Sequence, residues 1–238
     1  MRKILITNDD GIDSHGIARL AEAALAFGDV WVVAPASQRS CASHSITLHS
    51  HIDVWPHDFP VAGVRAFACS GTPGDCVRVG SLSVMPDKPD VVLSGINYGY
   101  NAATDIQYSA TVGAAFEAAF QGFISIALSE DDSACHETTD AWLLPVLEKW
   151  IDRRLAPGQI LNVNFPGCPA GSCRGILENR TVSKAVPYRD RYNLVEKLPG
   201  GGMRLMVEGI YVPEAEEGSD FRALLDGFVS VGVVDNVG

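Results

Sequence analysis

Short apolar runs, separated by polar turns and by stretches of helical spacing, organise the first two-thirds of the chain. Residues 4–7 form the first run and end in the turn Asn8-Asp9-Asp10-Gly11. Over 16–26, Ile17, Leu20, Ala21, Ala24 and Leu25 recur along one face, which predicts an amphipathic helix. Residues 30–33 are apolar without alternation, as in a strand covered on both faces. A loop over 34–44 leads into 45–54, where alternating and β-branched residues predict a strand, and 63–69 predicts another. Thr72, Pro73 and Asp75 then announce a helix: threonine caps, proline suits the first helical position, and the acid favours the helix dipole. Further strands are predicted at 90–93, 123–128 and 160–163, and helices at 111–121 and 139–153, with a long polar loop over 94–108.

Strands and helices alternating at this spacing predict an α/β fold, a Rossmann-like, doubly wound, mostly parallel sheet with right-handed crossovers. The rhythm stops after Pro166. Three consecutive glycines at 200–202, scattered prolines and the acidic stretch 214–217 predict a β-rich extension carrying a hairpin or arm. The division expected is a catalytic core over 1–166 and an extension over 167–238 that packs back on it and serves oligomerisation.

Composition narrows the function classes. With 238 residues, 47 % of them hydrophobic, the chain can bury a full core without disulfides or a structural metal. No apolar run approaches the roughly 18 residues needed to cross a bilayer. The opening MRKILIT has no signal-peptide pattern, so a cytoplasmic protein without a membrane partner is expected. A net charge of -11 argues against binding long nucleic acids. It leaves room for a small phosphorylated ligand, because a metal ion and helix N-termini reverse the field locally. The six cysteines form no CxxC pair and are expected to be reduced and mostly buried.

Three loops carry candidate chemistry, and each follows an apolar strand. Asp9 and Asp10 are adjacent carboxylates that repel one another unless a cation joins them, and hard carboxylate oxygens suit Mg²⁺ or Mn²⁺. The loop from Ala34 to Ser40 offers hydroxyls and Arg39. The third, from Ser94 through Asn97 and Asn101, is rich in glycine and asparagine and ends at Ser109 and Thr111, where a helix N-terminus makes an anion site. Any one of these reads equally well as a surface turn or a helix cap. In an open α/β sheet, however, all three fall beyond the carboxyl ends of the strands, the edge at which such sheets bind ligands.

The stretches ILITNDDGID, VVAPASQRSCASHSIT, SGTPGDCV, PDVVLSGINYGYN, YSATVGAAFEA, LNVNFP and SDFRALLDGFVSV resemble, in order, the survival protein E (SurE) family of metal-dependent 5′-nucleotidases. The resemblance implies hydrolysis of nucleoside 5′-monophosphates, with broader phosphomonoester or short-polyphosphate activity in some members, and a homodimer or homotetramer. It implies one divalent metal ion held by Asp9, Asp10, Ser40 and Asn97, with Asp9 and Asp10 also catalytic. Phosphate contacts are implied around Asn97, Asn101, Ser109 and Thr111. The chain departs from the family pattern at Cys41, Ala103 and Ala110, each where glycine is usual, and each adds a Cβ where backbone can need to approach phosphate or take positive φ.

Other candidates are weaker. His49 and His51 share a face of the predicted 45–54 strand but read as surface histidines; His15 lies nearer the site. Arg39, Arg189 and Arg191 could meet phosphate, and Tyr188 and Tyr192 could stack on a base. Two competing functions stay open at this level: a non-catalytic nucleotide or metal sensor, and a phosphatase using Asp9 as a covalent nucleophile. A dinucleotide oxidoreductase is disfavoured, since no GxGxxG follows the first strand.

Overall fold

The computed structural model describes residues 1–236. Its chain runs β1 (Arg2–Thr7), α1 (His15–Ala24), β2 (Gly28–Pro35), β3 (Val54–Pro56), β4 (Arg65–Cys69), α2 (Pro73–Val79) and β5 (Val91–Tyr98). It continues with α3 (Ala110–Phe120), β6 (Ile124–Glu130), α4 (Glu137–Trp150), β7 (Gln159–Phe165) and β8 (Ile176–Leu177). The last elements are β9 (Tyr188–Lys197), β10 (Met203–Tyr211), α5 (Asp220–Leu225) and β11 (Val229–Asp235).

Nine strands form one sheet in the order β3-β4-β2-β1-β5-β6-β7-β11-β8. The six from β4 to β7 are mutually parallel; β3 runs antiparallel to β4 and β11 antiparallel to β7, while β8 pairs with β11 in parallel. Helices cover both faces, which is why the central strands are apolar throughout: Ile4, Leu5 and Ile6 are all fully buried. From β1 the chain winds one way through β2 and β4, then returns to place β5 on the other side of β1. That reversal opens a crevice between the carboxyl ends of β1 and β5, the position where doubly wound sheets hold ligands. The predicted α/β architecture is the observed one.

Local differences from the sequence reading have physical causes. Residues 45–53 are irregular, because Thr47 gives its backbone N–H and its hydroxyl to Asp75 and Ser45 accepts from the Thr72 hydroxyl. The segment is thus bound to the N-terminus of α2, whose Thr72–Asp75 capping box is formed as expected. Strand β5 runs on to Tyr98, into the stretch read as loop, because β6 pairs with it beyond a register shift between Ser94 and Asn97. Gly95 makes the shift possible: its φ is +141° and a Cβ there would lie 2.2 Å from the Leu128 carbonyl oxygen. The chain after Pro166 contributes β8 and β11 to the main sheet and a separate two-stranded ribbon, β9–β10, exposed along its length. Of the cysteines, all unpaired, only Cys69 and Cys76 are buried, while Cys41 is exposed and the other three are half-buried.

Candidate metal and phosphate site

A cleft of about 610 Å³ lies over the β1–β5 crevice and is lined by Asp9, Ser40, Asn97, Asn101 and Ser109. Five of the seven residues singled out from the sequence therefore converge on one hollow. Asp10 lines an adjoining hollow of about 300 Å³, with Tyr98 common to both. Thr111 is fully buried and does not line the cleft; its hydroxyl donates to Asp9 Oδ1 at 2.7 Å. Its hydroxyl proton is thus committed to Asp9.

Each residue is held by local structure. The Asn8 amide donates to the Gly11 carbonyl and the Ser14 hydroxyl, both at 2.8 Å, folding the turn that presents the two carboxylates. The Arg39 N–H donates to the Asp9 carbonyl at 2.7 Å, fastening the serine loop to that turn. On its far side the same loop is tied by Ser43, whose N–H donates to the Tyr108 carbonyl and whose hydroxyl donates to the Gln107 carbonyl. Helix α3 packs against it at Gly113, where a Cβ would lie 2.7 Å from the Ser43 carbonyl oxygen. Ser109 caps α3 by accepting from the Val112 N–H at 3.1 Å. The Asn97 amide donates to the Gly99 carbonyl at 2.7 Å, which fixes its carbonyl oxygen as a free acceptor.

Asn101 is clamped by residues to which the sequence reading gave no role. Its N–H donates to Asn164 Oδ1 at 2.8 Å, its amide donates to Ser129 Oγ at 2.7 Å, and its carbonyl accepts from the Asn162 amide at 2.8 Å. The available signal was two asparagines at alternate positions of an otherwise apolar strand, which places both on one face.

The electrostatics single out the acidic pair. Burial pushes the Asp9 carboxyl up to about 6, the Thr111 hydroxyl pulls against that rise, and the Asp10 charge adds to it. Burial also raises Asp10, opposed by the N–H of Tyr98, which donates to Asp10 Oδ2 at 3.1 Å. Among the described residues neither carboxylate forms an ion pair. Glu130, the next acid, is already paired with Arg19 at 2.7 Å. Two desolvated carboxylates without a cationic side chain leave a charge deficit that a divalent ion fits. Hydroxyl and amide oxygens from Ser40 and Asn97 complete a hard donor set. No cluster of three or more His, Cys, Asp or Glu suited to a metal occurs among the described residues.

The remaining candidates fall outside the cleft or on its rim. His49 and His51 are exposed on irregular chain. His15 lines the hollow beside Asp10, and Arg39 is turned to the Ser70 carbonyl at 3.0 Å. Tyr188 lines the cleft, whereas Tyr192 stands exposed on the ribbon.

The pattern of the family described as survival protein SurE matches residues 4–186. The chain belongs to the SurE family. It is 39 % identical to the 5′-nucleotidase SurE of Erythrobacter litoralis, over 96 % of this chain and 91 % of that protein. It is 37 % identical to a 5′/3′-nucleotidase SurE of Escherichia coli, over 96 % and 88 %. The crystal structure of a SurE protein from Aquifex aeolicus superposes with a TM-score of 0.81 at 32 % identity, covering 98 % of this chain and 93 % of that one. Against the SurE pattern, two of the three departures carry real backbone strain: Cys41 has φ 60° and Ala103 has φ 53°. Ala110 does not, because it occupies the first turn of α3.

Proposed function

We propose that this chain is a phosphoric monoester hydrolase that converts nucleoside 5′-monophosphates to nucleoside and phosphate at the cleft over β1 and β5. The observation that carries the reading is the Asp9–Asp10 pair, Asp9 buried and Asp10 half-buried with no cationic side chain on either, with Asp9 sharing one cleft with the Ser109 end of α3. Family membership and relatives named as nucleotidases support it.

In this reading Asp9, Asp10, Ser40 and Asn97 hold one divalent cation, Mg²⁺ or Mn²⁺. The bound ion supplies Lewis-acid polarisation of the phosphoryl oxygens and neutralises charge that builds there. Asn101 and the Ser109 end of α3 bind the phosphate at the positive end of the helix dipole. Thr111 positions Asp9 by holding one of its oxygens. Either carboxylate can orient the attacking water and accept its proton as the P–O bond to the nucleoside breaks. At 3 % exposure, with one oxygen engaged, Asp9 is better suited to ligation than to in-line attack on phosphorus.

The reading extends to assembly and location. Residues 1–166 act as the catalytic core, and 167–238 as an extension whose ribbon joins protomers into a homodimer or homotetramer in the cytoplasm. No helix among the described residues is long and apolar enough to cross a membrane.

The test is phosphate release from a panel of nucleoside monophosphates with Mg²⁺, with Mn²⁺ and with EDTA. Metal-dependent release abolished by EDTA is expected. Folded protein that releases no phosphate with either metal contradicts the proposal and favours a binding protein.

A further inference from the structure

A second hollow, of about 430 Å³, adjoins the cleft and shares Gly99, Tyr100, Asp105 and Tyr188 with it. Its walls differ in kind from those of the phosphate cleft. Tyr188 and Tyr211 stand 5.4 Å apart between ring centroids, and Phe221 meets Tyr211 nearly edge-on at 6.2 Å. Aromatic faces of this kind stack planar heterocycles whatever their sequence identity.

The charged part of the wall is entirely anionic, beside the hydroxyls of Tyr100, Tyr188 and Tyr211. Asp105, Asp131 and Asp132 line the chamber, and no Lys, Arg or His does. Asp131 is engaged, accepting from the Ser133 N–H at 2.9 Å. Asp132 and Asp105 form no side-chain hydrogen bond or ion pair among the described residues. The carboxylates repel a second phosphate. They accept hydrogen bonds from exocyclic amino groups.

Granting the proposed phosphomonoesterase reading, the phosphate belongs in the cleft and the rest of the substrate must extend into adjoining space. We infer that this aromatic chamber seats the nucleobase and that Asp132, with Asp105 at the junction, selects bases bearing an exocyclic amino group. The two carboxylates are specificity determinants; Tyr188 and Tyr211 supply the stacking surface. The ribbon strands therefore contribute to the substrate site at their base, where β9 begins and β10 ends.

The experiment is equilibrium binding of free nucleosides to the full chain by calorimetry, in pairs differing by one amino group: adenosine against purine riboside, and guanosine against inosine. The wild type should bind the amino-bearing member about tenfold more tightly in at least one pair, the effect of one hydrogen bond to a charged group. Asp132→Asn or Asp105→Asn should narrow that ratio to about twofold or less, and Tyr211→Ala should weaken all four nucleosides alike, by roughly tenfold. Equal affinities within both pairs, no binding at millimolar nucleoside, or a ratio unchanged in both Asp variants would overturn the inference. Nucleosides carry no phosphate, so the two readings fail separately. Metal-dependent phosphate release without nucleoside selectivity removes the chamber assignment alone; selectivity without phosphate release removes the reaction alone.

Discussion

Asp9 sits at 3 % exposure, with the Thr111 hydroxyl on one oxygen and a second carboxylate next in the chain. Its carboxyl group titrates near 6 in the folded protein against a reference value of 3.8. Between those values the folded state binds more protons than the unfolded state, so stability falls as pH rises through that window and stays reduced above it. In EDTA at pH 7, Asp9→Asn should therefore stabilise the protein by up to about 3 kcal/mol in urea denaturation, and the gain should vanish near pH 4. An unchanged or lower stability at pH 7 would contradict this picture of a carboxylate buried without its cation. The same residue illustrates a trade seen at functional sites, where a group that serves chemistry weakens the fold holding it.

Among the elements, the loop carrying Ser40 depends on α3 more than on its own sequence. Gly113 lets the helix touch the Ser43 and His44 backbone, and His44 Nε2 meets Glu117 Oε2 of the same helix at 2.9 Å. Gly113→Ala would press a methyl group against that backbone and shift the loop. An ångström-scale displacement of Ser40 should lower kcat/KM by ten- to a hundredfold with little change in circular dichroism. Wild-type kinetics in this variant would show that the loop does not need α3 for its placement. These contacts mark the limit of what the sequence shows. The central strands and the three loops beyond them were legible, because a parallel sheet requires unbroken apolar runs and its ligand edge follows from topology. The irregular course of 45–53, the extension of β5 to Tyr98 and the asparagine clamp on Asn101 were not, because each depends on a partner distant in sequence: Asp75, Ser129 and Asn164. Nor was the bond from the Thr111 hydroxyl to Asp9 legible, since nothing local shows it.

For the molecule as a whole, the β9–β10 ribbon stands apart from the sheet with Leu194, Leu205, Val207 and Ile210 exposed. A two-stranded ribbon is marginal in water when no surface covers it. Leu205 and Val207 share one face of β10, so introducing Leu205→Glu with Val207→Glu should reduce the sedimenting mass to that of one chain if the ribbon joins protomers. An unchanged assembly would place the interface elsewhere. The central claim, that a divalent ion held at Asp9 and Asp10 drives phosphomonoester hydrolysis, is tested most directly by the initial rate of phosphate release from adenosine 5′-monophosphate as Mn²⁺ is raised from EDTA-stripped protein, for wild type beside Asp10→Asn. The account predicts a saturable metal-dependent rate in the wild type and loss of at least a hundredfold in the variant, whose fold is retained. A rate indifferent to Mn²⁺, or full activity in Asp10→Asn, would contradict it.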